Sequence, residues 1–491
     1  MKLSRLLSAT KVQAISSSCD PQIASISYDS RRASPGTLFF ALQGERLDGA
    51  SFVQEAIGNG AVAIVAAKQL ELPVPVIRVE NPRLSLAEVA STFYSSPSSS
   101  IKVAGVTGTN GKTTTTFLIR HICSSARLPC GLIGTVIYDI GGGTLEARRT
   151  TPEASDIQEM LACMRNYGLR ACALEASSHA STLHRLHAVE FETFVFTNLT
   201  RDHLDFHGSM EAYFNAKVEF FKSLSTQAKR AKAVINCEDR YGRLLMDRLR
   251  RHNIPIIRYG LGIGADFRAL NVRSDTVSTT YQLEARGRSY LVRLPLIGTF
   301  NIYNSLAALS AANAMGVEPR VAVAALASMP QIPGRLERVP VKRNFQVFVD
   351  YAHTADALKN ALQTLQTLRP SRLIVVFGCG GNRDSSKRQL MARVAGEIAD
   401  WTIVTSDNPR EEDPDAIITE VKGGFFNTHY ECIADRESAI CRAVSIAQAG
   451  DIVLVAGKGH EKTQEFSGRR MMPFDDVEIA ARAIAEKPVG F

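Results

Sequence analysis

Short apolar runs recur along this chain, and most end in polar, glycine-containing turns. IKVAGVTG at 101–108 reads as a buried strand entering a glycine turn, and the TTTTFLIRHICSSA that follows it spaces its apolar residues as a helix does. CALEASS from Cys172, FETFVFTNLT from Phe191 and KAVINCED from Lys232 are further strand candidates, alternating with helical stretches. Near-continuous apolar strands between helices predict an α/β fold, a parallel sheet covered on both faces. Four more candidates follow: FQVFVDYAH from Phe345, RLIVVFGCGG from Arg372, DWTIVTSDNPR from Asp400 and DIVLVAGKGH from Asp451. Each closes in a polar loop. Ligands bind at the carboxyl ends of strands in such sheets, so a second ligand-handling α/β domain is expected.

A chain of 491 residues suggests about three domains. Ser95–Ser100, SSPSSS, has little to bury and is expected to be an extended linker. A second boundary falls near Pro330–Pro333. The expected division is 1–98, 99–330 and 331–491. No run approaches the roughly 18 apolar residues of a membrane span, and the start, MKLSRLLSATKVQA, lacks a signal-peptide core. Nine cysteines without a CxxC pair point to a reducing cytoplasm, not to a disulfide framework or a zinc site, with most of them as small core residues. The net charge of +8 comes from basic residues interleaved with acids. Polyanionic small molecules are therefore the expected partners, with no nucleic acid and no membrane.

The strongest motif is GVTGTNGKTT, Gly105–Thr114. Between a strand and a helix, glycines let backbone N–H groups turn inward around phosphate, and the helix N-terminus adds positive charge. Gly108, Thr109, Asn110 and Gly111 would form the cradle, Lys112 would reach the β/γ-phosphates, and Thr113 would offer its hydroxyl to Mg²⁺. The usual G-x-x-x-x-G-K-[ST] spacing would need glycine at Val106, so this is a variant loop. The bland alternative is a glycine-rich turn with no ligand. Glu175 and His203, each following a strand, are metal-ligand candidates; capping and surface charge are the competing reading. Lys217 lies in AYFNAKVEFF near Phe214, Phe220 and Phe221, and local sequence alone favours a lysine that snorkels to water.

With these motifs in place, the chain resembles the Mur ligases over nearly its whole length, and within them the diaminopimelate-adding branch. GTNGKT at Gly108–Thr113 is the family's own phosphate loop. The resemblance implies a UDP-sugar-binding N-terminal domain, a central P-loop ATPase domain and a C-terminal Rossmann-like α/β domain that binds the amino acid. Ser30 lies in a DSR signature and Asp48 in a DG turn, both of the nucleotide-sugar domain. Thr150 and Thr151 of TTP, with Ser177 and Arg185, resemble the residues that hold the UDP-MurNAc-dipeptide. Glu175 and His203 resemble Mg²⁺ ligands, and Lys217 the lysine carried as an N6-carboxylysine carbamate. His203 is also a candidate to neutralise charge beside Lys112 and Lys217 in catalysis. Asn301 and Asn304, Arg335 of PGRLE, and Asp350 and His353 of DYAH resemble contacts to ATP. Arg383, Asp407, Asn408 and Arg410 of DNPR, with Gly457 and Glu461, resemble contacts to meso-diaminopimelate.

The implied activity is ATP- and Mg²⁺-dependent addition of meso-diaminopimelate to the D-glutamate of UDP-MurNAc-L-Ala-D-Glu, through an acyl phosphate, by a monomer in peptidoglycan precursor synthesis. Diaminopimelate has a distal carboxylate that L-lysine lacks, and an arginine fork matches it. A lysine-adding ligase, a folylpolyglutamate synthase and a P-loop NTPase module are the alternatives. They would lack, respectively, Arg410, the nucleotide-sugar domain, and both amino-acid loops. Two positions depart from the family: Thr354-Ala355 replaces Thr-Pro after DYAH, and Asn382 stands where Asp is frequent.

Overall fold

Strand Lys102–Thr107 is buried along all but its first residue, as the central strand of a parallel sheet must be. In this computed structural model, which describes residues 1–44, 47–202, 204–340, 343–426 and 428–487, the chain divides into two units. One comprises Met1–Phe267 with Ala307–Ala322, the other Arg268–Leu306 with Val323–Phe491.

The first unit holds two sheets. In the N-terminal one the strands run Val12–Ile15, Val76–Val79, Ala61–Ala66, Thr37–Phe40 and Ser25–Ser27, parallel except for the first pair. In the other, Ile256–Gly260, Lys232–Asn236, Phe191–Phe196, Lys102–Thr107, Ala171–Glu175 and Cys130–Ile133 are parallel neighbours in that order. The carboxyl ends of four predicted strands therefore stand side by side.

In the second unit, Gln346–Asp350, Ile452–Ala456, Leu373–Cys379, Trp401–Ser406 and Tyr430–Cys432 form the parallel part of a sheet, with Glu337–Arg338 antiparallel at one edge. Successive residues of one strand enter opposite cores. Leu373, Val375 and Phe377 pack with Leu358 and Met391, whereas Ile374 and Val376 pack with Ile440 and Val444. Burial on both faces is why these segments read as unbroken apolar runs. The fold is thus α/β with parallel sheets, as expected.

The serine stretch differs from its expected extended form. Ser95 and Ser96 adopt positive φ, Pro97–Ser99 form a 3₁₀ turn, and Ser98 is buried. Ser98 Oγ accepts the Glu190 amide at 3.1 Å, and Lys229 Nζ donates to the carbonyls of Ser98 and Ile101. Polar partners from distant sequence hold this turn, in which Pro97 is buried beside Ser98. Fewer cysteines than expected are core residues: Cys123, Cys130, Cys172 and Cys379 are buried, while Cys19 and Cys432 are exposed. Among the described residues no helix is long and apolar enough to cross a membrane.

Candidate active site

The glycine-rich loop leaves the carboxyl end of Lys102–Thr107 and opens helix Lys112–Ser125, with Gly111 at φ +85° as N-cap. Gly108 adopts φ +150°, and a Cβ there would lie 1.8 Å from Thr197 Oγ1, so only glycine fits. The end of Phe191–Phe196 braces the loop: Thr197 Oγ1 donates to Asn110 O at 2.7 Å, and Asn110 N donates to Asn198 Oδ1 at 2.9 Å. Lys112 Nζ folds onto the loop, donating to Gly108 O and Thr109 O at 3.0 and 2.8 Å.

Glu175 ends the neighbouring strand and is wholly buried. Its carboxylate accepts from Thr113 Oγ1 at 3.2 Å and from Thr135 N and Oγ1 at 2.9 and 3.0 Å. Gly134 gives it room, since a Cβ there would stand 2.4 Å from Glu175 Oε1. Lys217, on helix Met210–Ser223, is 1% exposed. It does not snorkel. Phe194 stacks on Phe220 at 5.1 Å, and the helix face carrying Lys217 turns inward. Its Nζ donates to Thr107 Oγ1 and Gly108 O, both at 3.2 Å. Burial, and then the charge of Lys112, pull its pKa well below the usual lysine value. His203 lies outside the described residues.

Thr151 Oγ1 donates to Glu175 O at 2.7 Å and accepts from Ser177 N at 3.0 Å, which ties TTP to the strand end. Thr150 pairs with Thr135 at 3.1 Å. Arg185 donates to Glu153 at 2.7 Å and to Thr151 O at 3.0 Å. Arg83 and Arg149 reach the same buried Glu153 at 3.1 and 2.7 Å, so three guanidiniums share one carboxylate. Arg83 also lines a cavity of about 790 Å³ with Gln43, Asp48 and Lys68. Ser30 stands apart from this group, buried and donating to Glu55 at 2.7 Å.

The second unit carries the remaining candidates. Asn304 Nδ2 donates to Asn301 Oδ1 at 3.0 Å, and Asn301 Nδ2 to Ile297 O at 2.8 Å. Asp350 accepts Leu336 N at 2.7 Å, and burial pushes its pKa up to about 6 against the pull of Arg335. Arg335 lies over the Tyr351 ring at 5.0 Å, and His353 Nδ1 meets Tyr351 O at 2.8 Å. Thr354 caps helix Ala355–Gln366 through the Ala357 amide, so the turn after DYAH forms without proline. Beyond Trp401–Ser406, Asp407 and Asn408 are buried. Asn408 donates to Glu461 at 3.0 Å, and Arg410 donates to Glu465 Oε2 and Gly381 O, both at 2.8 Å. Arg383 is exposed on the preceding loop, where Asn382 at φ +51° accepts the Glu411 amide.

Three family models match this chain: Mur ligase family, catalytic domain, over 22–94; Mur ligase middle domain over 106–312; and Mur ligase, glutamate ligase domain, over 334–459. The chain belongs to the Mur ligase family. It is 41% identical to the UDP-N-acetylmuramoyl-L-alanyl-D-glutamate–2,6-diaminopimelate ligase of Syntrophomonas wolfei, covering 99% of this chain and 100% of that one. It is 42% identical to the Geobacillus kaustophilus protein of the same name, with the same coverage. A solved structure of a ligase with that name matches at TM-score 0.67 and 34% identity, over 94% of this chain and 95% of that one.

Within this Mur ligase, several residues that hold the candidate groups escaped sequence reasoning. Thr135 orients Glu175, Glu153 gathers three arginines, Glu465 anchors Arg410, and Lys458 binds both Asn408 and Glu461. Lys458 stands inside DIVLVAGKGH and Glu153 directly after TTP, but only their burial distinguishes them. Among the described residues no three His, Cys, Asp or Glu side chains are grouped so as to hold a metal ion.

Proposed function

We propose that this Mur ligase joins meso-diaminopimelate to the γ-carboxylate of the D-glutamyl residue of UDP-MurNAc-L-Ala-D-Glu, using ATP, in cytoplasmic peptidoglycan precursor synthesis. The convergence of Lys112, Thr113, Glu175 and Lys217 at one end of a parallel sheet carries this reading. Segments 1–98, 99–330 and 331–491 serve the nucleotide sugar, ATP and the amino acid in turn, and the protein acts as a monomer.

The residues fit Mg²⁺. Glu175 is a fully buried carboxyl group whose partners among the described residues are hydroxyl and amide donors. Its oxygen and the Thr113 hydroxyl are hard donors of the kind Mg²⁺ takes. Lys217, whose pKa burial pulls down, loses its proton more readily than an ordinary lysine and so suits CO₂ addition, which would supply a further anionic oxygen. His203 is the fourth candidate ligand. Bound Mg²⁺ supplies Lewis-acid stabilisation of phosphoryl charge.

The γ-carboxylate oxygen attacks the γ-phosphorus, and the bond to the bridging oxygen of ADP breaks. Lys112, released from its loop carbonyls, follows the charge on the transferring group. The amine of diaminopimelate then attacks the acyl carbon, loses a proton, and expels phosphate. Thr150, Thr151, Ser177 and Arg185 fix the acceptor, which makes positioning a large share of the acceleration. Asn301, Asn304, Arg335, Asp350 and His353 contact the nucleotide. Arg410 grips the distal carboxylate of the amino acid, with Arg383, Asp407, Asn408, Gly457 and Glu461 around it. The named relatives are 2,6-diaminopimelate ligases, which favours this amine over lysine.

Phosphate release tests the reading, with ATP, Mg²⁺, the UDP-dipeptide and either meso-diaminopimelate or L-lysine. Release that requires diaminopimelate is expected. Release driven by lysine refutes the choice of amine, and release that needs neither amine refutes the ligase.

A further inference from the structure

Lys458 is completely buried, yet the reaction gives it nothing to do. A lysine removed from solvent needs counter-charge and acceptors. Its Nζ donates to Asn408 Oδ1 at 2.9 Å and to Glu461 Oε2 at 2.8 Å, and stands 4.0 Å from Asp407 Oδ1. Asn408 Nδ2 donates to the same Glu461 oxygen at 3.0 Å. Asn408 Oδ1 also accepts the Glu465 amide at 3.0 Å, and the Glu465 carboxylate holds Arg410. One ammonium thus begins a chain of contacts that ends on the guanidinium of Arg410.

The backbone is shaped to turn this lysine inward. Gly457 adopts φ +115°, and a Cβ there would lie 2.9 Å from Asp407 Oδ2; at Gly459, φ +57°, it would lie 2.8 Å from Tyr351 Cα. Lysine at 458 also balances the local charge. It faces Asp407 and Glu461, while Arg410 faces Glu465, so each of these cations has a carboxylate beside it. Both donors converge on Glu461 Oε2, while Oε1 takes no hydrogen bond among the described residues.

We propose that Lys458 is a positioning residue for the amine substrate: it immobilises Asn408 and Glu461 so that Glu461 Oε1 accepts an ammonium of a zwitterionic diamino acid. The inference rests on reading these loops as the amino-acid site. It predicts that Lys458 governs affinity for the amine and leaves the two nucleotide substrates alone.

Steady-state kinetics of Lys458→Met and Lys458→Gln, with each substrate varied, test this. Met removes charge and donor; Gln keeps one donor in place and preserves folding should Met not. KM for meso-diaminopimelate is expected to rise tenfold or more in Met and less in Gln, with KM for ATP and the UDP-dipeptide within twofold. In a cycle with Glu461→Gln, the double variant Lys458→Met/Glu461→Gln should be no worse than the poorer single. An unchanged KM for diaminopimelate in a folded variant, parallel rises in all three KM values, or additive losses would overturn the proposal. Failure of the unaltered enzyme to use diaminopimelate would instead sink the function on which it rests.

Discussion

Replacing Arg410 separates stability from substrate choice. Its backbone lies at φ +53°, a left-handed conformation that costs an L-residue about 1–2 kcal/mol. Against that cost stand one ion pair to Glu465 and one hydrogen bond to Gly381 O. Both charged partners are partly exposed, so the pair contributes about 0–1 kcal/mol, and the hydrogen bond roughly 0.5–1.5 kcal/mol. Arg410→Gly relieves the strain as it deletes both contacts. The unfolding free energy is therefore expected to stay within about 1 kcal/mol of the parent.

Substrate use should respond quite differently. Truncating one partner of a desolvated, hydrogen-bonded charge pair costs about 2–5 kcal/mol. Arg410 retains 21% side-chain exposure, which places the loss at the lower end. About 2–3 kcal/mol corresponds to a fall in kcat/KM for meso-diaminopimelate of roughly 30- to 150-fold. Arg410→Lys keeps the charge but loses the planar fork, and should fall between Gly and the parent. Any residual turnover of L-lysine, which offers no distal carboxylate, should not drop. Phosphate release with each amine and urea unfolding of the same preparations give both readings. The reasoning fails if Arg410→Gly uses diaminopimelate like the parent, if kcat/KM for ATP falls in parallel, or if stability collapses.

Other substitutions probe the remaining parts. Gly108→Ala forces a Cβ to within 1.8 Å of Thr197 Oγ1, and nucleotide binding measured by calorimetry should be lost while the sugar-nucleotide affinity persists. Glu153→Ala leaves Arg83, Arg149 and Arg185 without their shared partner; KM for the UDP-dipeptide should rise about tenfold, consistent with a lost charge-assisted contact, and an unchanged KM would refute the role. Asp350 titrates at about 6 in the folded chain because of burial. The folded state thus binds more protons than the unfolded one between about pH 4 and that value, so stability falls as pH rises through this window. Asp350→Asn should abolish that slope in urea titrations. Arg436 and Asp476 are wholly buried and paired twice at 2.8 Å. Arg436→Met strands the carboxylate and should cost about 3–5 kcal/mol in denaturant unfolding.

The parallel strands were legible because burial on both faces leaves a local trace. Leu373–Cys379 has no polar face to show, and its neighbours along the chain report as much. The glycine loop was legible for a similar reason: backbone conformation demands glycine at 108 and 111, whatever surrounds them. The serine stretch was misread because its partners lie far away. Lys229 and Glu190 supply the hydrogen bonds that composition could not foresee.

Three lysines, Lys112 and Lys217 of the first unit and Lys458 of the second, make the same point in charge. Lys112 rests on carbonyls of its own loop, three and four residues back, and its place followed from motif alone. Lys217 and Lys458 are both buried. Among the described residues Lys217 Nζ donates to a hydroxyl and a carbonyl oxygen, and desolvation prevails, so its proton is weakly held. Lys458 meets the carboxylate of Glu461 at 2.8 Å with Asp407 close by, so its charge has compensation on the spot. One residue type thus holds its proton weakly in one place and meets a compensating carboxylate in another. The difference resides in acceptors brought from elsewhere in the chain: a hydroxyl and a carbonyl for Lys217, an amide oxygen and a carboxylate for Lys458. Such acceptors are set by tertiary contact, which is why the chemistry of this ligase is partly written in motifs and partly only in the fold.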